Sequence, residues 1–218
     1  MNAFTRQEIK ALTPKPGARW ICAWGGASPR SYQYQPVLDA TSGRIVAYQA
    51  VITSSAAYSA LDEVELCIEE GPAGRPLLLT LSVQDYLGEE HDRGNTLVKI
   101  LQQHLWRDRD VIVHLKHTHK ESWGVMQMYR QLQQAGILTM VDAGVPWDLA
   151  SINILVDAHI IRFHAAQLPE PVEQLLENSQ SLGIHTLLAG IRNKAQAEWA
   201  ARQGIDWLQV EAAEVELL

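Results

Sequence analysis

The chain has 218 residues, of which 47% are hydrophobic and 20% charged, and its formal net charge is −7. This is ordinary globular composition, and the length suits one large α/β domain or two small ones. The sequence contains no basic block, which argues against non-specific nucleic-acid binding, because such binding relies on clustered Lys and Arg. It also contains no run of 18 apolar residues, so it predicts no membrane-spanning helix.

The cysteine content and the first residues favour a cytoplasmic protein. The two cysteines, Cys22 and Cys67, have no CxxC partner, so a disulfide framework is not expected. The N-terminal stretch has no apolar centre and does not match a secretory signal. Residues 1–30 contain three prolines and three glycines in an irregular stretch, and we interpret them as a lead-in or cap. Residues 31–218 are then predicted to form one domain.

The predicted elements begin with a hairpin and then alternate between helix and strand. β-Prone runs at residues 32–38 and 44–52 flank a five-residue turn that ends in Gly43. The remaining predictions, in chain order, are helix 55–70, strand 77–81, helix 95–106 capped by Asn95, strand 110–115, a helix ending at Gly136, strand 137–141, a short helix 147–156, strand 159–163, helix 169–182, strand 184–189, a helix from Asn193 to Gly204, and strand 205–210.

Three of the predicted junctions between a helix and a strand share one local form. Gly136, Gly183 and Gly204 each follow a helical pattern and precede an isoleucine. Glycine after the last helical residue takes the left-handed conformation that ends a helix, and the isoleucine suits a buried strand. Eight predicted strands favour a closed barrel. The alternative is an open doubly wound sheet, although no glycine-rich phosphate loop supports a nucleotide-binding form of it.

Several segments resemble the EAL domain, in the order in which that family has them. Residues 34–51 resemble its opening hairpin, "YQPIVD…TGRIVGYEAL". The other segments are residues 79–82 (LTLS, resembling "VNLS"), 138–144 (LTMVDAG, "LALDDFG"), 156–162 (VDAHIIR, "VDYLKID"), 182–192 (LGIHTLLAGIR, "LGIRVVAEGVE") and 204–209 (GIDWLQ, "GxDxLQ"). The resemblance covers roughly residues 32–209.

The resemblance implies a modified TIM-type (β/α)8 barrel whose first strand is antiparallel. The active site of such barrels lies at the carboxyl ends of the strands. Members of the family hydrolyse cyclic di-GMP with two divalent cations, which carboxylates hold. Hard cations need several oxygen ligands, and a two-metal site holds both the attacking and the leaving oxygen.

This sequence departs from the family at most positions where the resemblance implies a catalytic or metal-binding residue. Asp142 and Gln209 are kept. The replacements are Gln49 for the motif glutamate, Thr80 for an asparagine, His114 and His117 for two acids, Val141 for an aspartate, Ile160 for the lysine, Arg162 for an acid, and Ala189 and Arg192 for two glutamates. One carboxylate beside two arginines is not expected to hold two divalent cations. We therefore predict no catalytic residue, no metal and no other cofactor.

The chain is also shortened after the second predicted strand. Only 31 positions separate Gln49 from Thr80, and Thr53 stands where the family has a phosphate-contacting arginine. A shortened barrel wall is expected to leave an apolar patch that a protein partner or a second copy covers. Trp147 lies in the loop that family members use for dimer contacts, so it is the predicted interface residue.

The sequence therefore predicts a non-catalytic regulatory protein that acts through protein–protein interaction in cyclic di-GMP-related signalling. The alternative is a receptor that binds cyclic di-GMP or another anion without hydrolysis. The predicted pocket of that receptor consists of Gln35, Gln49, Thr80, Asp142, Arg162, Arg192 and Gln209. Its two arginines would either receive the anion together or form separate ion pairs. A third interpretation is a metal-dependent hydrolase that uses a new metal site built from His114, His117 and His164.

Overall fold

Eight strands form a closed barrel in the computed structural model, which describes residues 32–52, 60–82, 92–105, 110–116, 122–143, 158–168 and 171–211. Neighbours along the chain are neighbours in the barrel, and β8 closes it against β1. The strands are β1 (Tyr32–Asp39), β2 (Ile45–Ile52), β3 (Leu77–Ser82), β4 (Val111–Lys116), β5 (Leu138–Asp142), β6 (Ile160–His164), β7 (His185–Ile191) and β8 (Trp207–Val210). The predicted barrel is confirmed, and the open sheet is excluded.

The first strand runs against both of its neighbours, as the resemblance implied. β1 pairs antiparallel with β2 and with β8, and the other neighbouring strands pair in parallel. The turn after β1 fixes this direction, because Asp39 Oδ1 accepts hydrogen bonds from the backbone N–H of Thr41 and Ser42 at 3.1 and 2.6 Å. Gly43 completes the turn with a φ of 67°. Asparagine and aspartate form such turns through their side-chain oxygens.

Five helices lie among the described residues, and their apolar sides cover the outside of the barrel. They are α1 (Ala60–Glu70), α2 (Asp92–Leu105), α3 (Ser122–Gln134), α4 (Val172–Ser181) and α5 (Lys194–Arg202). The larger apolar cluster includes Leu77, Leu79 and Leu81 of β3 and residues of the helices. The smaller cluster lies inside the barrel and includes Leu78. Alternation along β3 thus sends one set of side chains outward and the other inward.

The three glycine–isoleucine junctions have the predicted conformation. Gly136, Gly183 and Gly204 have φ values of 76°, 70° and 74°. The N–H of each following isoleucine donates to a carbonyl five residues earlier, at 2.9 to 3.0 Å. This is the hydrogen bond of a Schellman motif, in which a left-handed residue ends the helix and the next side chain packs. The isoleucines are buried, so the motif joins each helix end to the core.

One sequence prediction differs from the structure at the level of detail. α2 begins at Asp92, one turn before the predicted cap at Asn95. Local propensity is a weak guide to a helix start, and packing of an apolar face, here Leu97 and Leu101, decides where the helix extends. The apolar patch predicted from the shortened wall stays a prediction, because residues 53–59 of that wall lie outside the described residues.

Some predicted features lie outside the described residues. These are the N-terminal segment of residues 1–30 and the short helix predicted at residues 147–156. Within the part of the chain that the structure describes, none of the helices combines the length and apolar character needed to cross a bilayer.

Candidate functional site

The mouth of the barrel is the end at which the parallel strands finish. Side chains alternate along each strand, so the residue two positions beyond an inward apolar residue also faces inward. On β2, Ala47 belongs to the inner apolar cluster and Gln49 follows it. The same step on the other strands, together with Gln209 of β8, gives the residues that we call the mouth layer: Gln35, Gln49, Thr80, His114, Asp142, Arg162 and Gln209.

A continuous chain of hydrogen bonds links five neighbouring strands of the mouth layer. Gln49 Nε2 donates to Thr80 Oγ1 at 3.2 Å, and Thr80 Oγ1 lies 3.3 Å from His114 Nδ1. His114 Nε2 lies 3.0 Å from Asp142 Oδ2, and Arg162 Nε donates to Asp142 Oδ1 at 2.7 Å. When Nε2 of His114 carries the proton, Nδ1 accepts from the Thr80 hydroxyl, and every contact has one donor and one acceptor.

The barrel register explains why these side chains meet. Thr80 and His114 are Cα partners across β3 and β4, and Asp142 and Arg162 are Cα partners across β5 and β6. Side chains of directly paired residues on one face lie close enough to interact. The resemblance implied that these residues share one site, whereas the pairing follows from the register of neighbouring strands.

Asp142 is the carboxylate of the mouth layer, and both of its oxygens contact nitrogen donors. Its side chain is 34% exposed, whereas those of His114 and Arg162 are 1% and 19% exposed. Burial alone would raise the Asp142 pKa, but the His114 hydrogen bond, the His114 charge when protonated, and Arg162 lower the pKa to about 2. A metal ion bound to Asp142 would therefore have to compete with the positive charge of Arg162 and with the His114 hydrogen bond.

The side of the mouth formed by β8, β1 and β2 is neutral. Gln209 Nε2 donates to Gln35 Oε1 at 3.1 Å, and these glutamines lie on the neighbouring strands β8 and β1. Gln49 is 8% exposed, and its Oε1 is buried without a hydrogen-bond partner among the described residues. An unpaired buried acceptor is costly, so a donor from water or a ligand would be favourable there.

β7 adds no polar side chain to the mouth layer, between the ionic side formed by β2 to β6 and the neutral side formed by β8, β1 and β2. Ala189 is buried within the inner apolar cluster and offers no polar atom from its side chain. Gly190 follows with a φ of 75°, and a Cβ at this position would lie 2.7 Å from Cε1 of the exposed His164 ring. His164 Nδ1 accepts from the backbone N–H of Ala166 at 3.3 Å. Glycine at 190 therefore allows the His164 ring to lie against the strand.

Arg192 does not join the mouth layer. It lies beyond the end of β7, its side chain is 66% exposed, and its Nε donates to Glu211 Oε2. Arg162 instead pairs with Asp142 inside the mouth. In this structure the two arginines have separate carboxylate partners, as one of the two predicted arrangements required.

Several other positions at which the sequence departs from the family have a defined place in the structure. Val141 packs in the outer apolar cluster, whereas Ile160 belongs to the inner one. His114 and His164, from the predicted histidine metal site, have the contacts given above. Three predicted positions lie outside the described residues: Thr53, His117 and Trp147.

The chain is similar to known proteins in its structure, but not to family models or curated proteins. No protein-family model matches the chain, and no curated protein matches it. Solved structures do match it. The Bacillus subtilis YkuI protein, with an EAL domain and in complex with its substrate c-di-GMP and calcium, has a TM-score of 0.61 and 16% identity. The match covers 85% of this chain and 56% of that chain. The chain has the fold of an EAL domain.

Two further EAL-fold structures extend the comparison. BlrP1 of Klebsiella pneumoniae, as a calcium and cyclic di-GMP complex, has a TM-score of 0.62 and 16% identity, over 90% of this chain and 59% of that chain. A standalone EAL protein from Vibrio cholerae O395 in its c-di-GMP-bound form has a TM-score of 0.57 and 13% identity, over 88% of this chain and 99% of that chain. The chain thus spans less than two thirds of YkuI and BlrP1 but nearly all of the Vibrio protein.

Proposed function

We propose that the protein is a non-catalytic regulator with an EAL fold that acts by binding another protein in cyclic di-GMP-related signalling. The observation that supports this most directly is the contact of both Asp142 oxygens with nitrogen donors of His114 and Arg162. The cytoplasmic location predicted from the cysteine content is part of the proposal, and the buried Cys67 forms no disulfide with another described residue.

The chemistry of the mouth layer supports the absence of phosphodiesterase activity. Two divalent cations need several hard oxygen ligands, and anionic oxygens also balance their charge. Asp142 is the one anionic side chain of the layer, and the guanidinium of Arg162 lies against it. A second cation at this point would meet electrostatic repulsion from the first positive group. Without metal ions, neither the phosphate clamp nor the activated water of a two-metal hydrolysis is available.

A direct assay tests this proposal. The purified protein should not convert cyclic di-GMP to its linear product in magnesium or manganese above the no-enzyme control. Gln49→Glu alone should not produce turnover, because His114, Val141, Ile160 and Ala189 would still replace the acids and the lysine that the family has at these positions. Turnover by the wild type that disappears in Asp142→Ala would overturn the proposal.

The binding partner is a separate part of the proposal. A barrel that performs no chemistry can still act through its surface, and a homodimer or another protein are the expected partners. Light scattering at tens of micromolar should show self-association that Trp147→Ala weakens, with unchanged circular dichroism. A monomer at that concentration would remove the homodimer, and pull-down with the wild type and Trp147→Ala would then test a different protein partner.

A second candidate function is that of a receptor which binds cyclic di-GMP or another phosphate-bearing ligand without hydrolysing it. The neutral side of the mouth favours it, because Gln35 and Gln209 offer amide groups and Gln49 Oε1 lacks a partner. The YkuI, BlrP1 and Vibrio structures each contain c-di-GMP. Relatives at 13 to 16% identity support the fold, so ligand binding by this chain remains a proposal.

Calorimetry distinguishes the receptor from the protein-binding function. Cyclic di-GMP would be titrated into the wild type, with and without magnesium, and into a Gln35→Ala, Gln209→Ala double variant. A receptor should bind in both buffers and lose at least about tenfold in affinity in the double variant, since two buried polar contacts are removed. Arg192→Ala is the matched control, because Arg192 lies outside the mouth. No heat from the wild type would reject the receptor.

A further inference from the structure

Glu65, Glu69 and His104 form a group on α1 and α2, two of the helices that cover the outside of the barrel. The two glutamates are four positions apart on α1, so they lie on one face of that helix. His104 comes from the last turn of α2. One donor atom from each of the three side chains lies within 4.8 Å of the others. Among the described residues, this is the group of three with that spacing.

The three side chains differ in their exposure. His104 is 4% exposed, so its imidazole is buried between the helices. The two glutamates are at least partly exposed, which leaves solvent access to the carboxylates. A buried nitrogen ligand with two solvent-accessible oxygen ligands can receive an ion from solution without opening the core.

Electrostatics favours a cation in this group. Two glutamates at positions i and i+4 repel each other and destabilise a helix. A proton on His104 would balance one of the two negative charges. A divalent ion would balance both, with the imidazole neutral and its nitrogen acting as a ligand.

We propose that Glu65, Glu69 and His104 bind a divalent transition-metal ion of the zinc type and thereby join α1 to α2. One imidazole with two carboxylates is a donor set of zinc, whereas magnesium and calcium prefer oxygen ligands alone. Zinc bonds of about 2.0 to 2.2 Å require the donor atoms to approach by roughly 1 Å, which glutamate rotamers allow. Three protein ligands leave one position for water.

Metal-dependent thermal stability tests the site. Chelator-treated protein would be melted in zinc chloride, cobalt chloride or magnesium chloride at equal ionic strength. At zinc about 100-fold above its dissociation constant, the melting temperature should rise by roughly 5 °C or more, because an ion that binds only the folded state stabilises it. Magnesium should give a much smaller shift. Calorimetry should give one zinc ion per chain.

Matched variants locate the ion. Glu65→Gln with Glu69→Gln should abolish the zinc shift, and it should fold because the changed atoms are at least partly exposed. Glu70→Gln, an exposed neighbour on α1, should retain the full shift. Asp142→Asn should also retain it, which separates this site from the histidines near the mouth. His104→Gln adds a third test if its circular dichroism is native.

Two results would overturn the proposal. One is an unchanged melting temperature of the wild type in zinc and cobalt, which would leave an ion pair between helices as the role of the group. The other is an equal zinc shift in the wild type and in the Glu65→Gln, Glu69→Gln variant, which would place the ion elsewhere on the chain.

Discussion

The two ends of the barrel each contain an aspartate with several hydrogen bonds, but the partners differ in kind. At the mouth, Asp142 contacts the imidazole of His114 and the guanidinium of Arg162. At the opposite end, Asp206 Oδ2 accepts from the backbone N–H and the hydroxyl of Thr186 at 2.8 and 3.0 Å. The Asp206 N–H donates back to Thr186 Oγ1 at 3.1 Å. One aspartate therefore belongs to a charged network and the other to a local link between β7 and β8.

Asp206 therefore has a structural role between two strands, whereas Asp142 belongs to a site in which Arg162 balances its negative charge. The bonds of Asp206 fix one strand to the next, and His185 stacks on Trp207 beside it with ring centroids 5.5 Å apart. The network of Asp142 extends across β2 to β6 but involves side chains that barrel closure does not require. In barrels of this type, the active sites lie at the carboxyl ends of the strands, which is the end that contains Asp142. Removal of each aspartate measures this difference.

The largest effect is expected from Asp142→Ala. It leaves the buried His114 and the guanidinium of Arg162 without their carboxylate, and the free energy of unfolding should fall by about 2 kcal/mol, between the values for exposed and buried ion pairs. Chemical denaturation would measure it. Adding Arg162→Met should recover part of the loss, because no unpaired guanidinium remains. A double variant that loses more free energy of unfolding than the two single variants lose together would contradict the network.

Acid should weaken the mouth by a smaller amount. The folded pKa of Asp142 is about 2, below the ordinary aspartate value of 3.8, so its charged form stabilises the fold above pH 3.8. That contribution should be lost as the pH falls from about 4 to about 2. Denaturation midpoints at several pH values should decline in this range for the wild type, and Asp142→Asn should reduce the decline. An identical acid dependence in both proteins would show that Asp142 does not titrate in this way.

Asp206→Ala should cost less than Asp142→Ala. Two hydrogen bonds from Thr186 are lost, but the Asp206 side chain is 39% exposed and water can replace it, so we expect a loss of about 1 kcal/mol. The same denaturation experiment measures it. A loss larger than that of Asp142→Ala would reverse the comparison and make the Thr186–Asp206 link the stronger of the two.

The smallest effect is expected from Arg192→Ala. Arg192 and Glu211 are 66% and 46% exposed, and ion pairs at such positions contribute little to stability. The denaturation midpoint should remain unchanged within error, and melting in phosphate against chloride at equal ionic strength should match the wild type. A weaker phosphate response in Arg192→Ala would instead assign an anion contact to this arginine.

The sequence by itself determined the barrel. The β-prone runs and the repeated glycine–isoleucine junctions are local patterns, and each indicates an element without reference to the others. The resemblance implied the strand-end positions of Thr80, Asp142 and Arg162, which the structure brings together in the mouth. Local propensity predicted the start of α2 less well, because packing of its apolar face decided that the helix begins at Asp92.

The tertiary structure decided which of these groups became partners. Arg162 meets Asp142 because β5 and β6 pair in that register, and Arg192 meets Glu211 because the β7–β8 pairing places their strand ends together. The spacing of Glu65 and Glu69 is visible in the sequence, but His104 reaches them only when α1 packs beside α2. Side-chain chemistry at a site depends on distances between distant segments, and only the folded chain sets those distances.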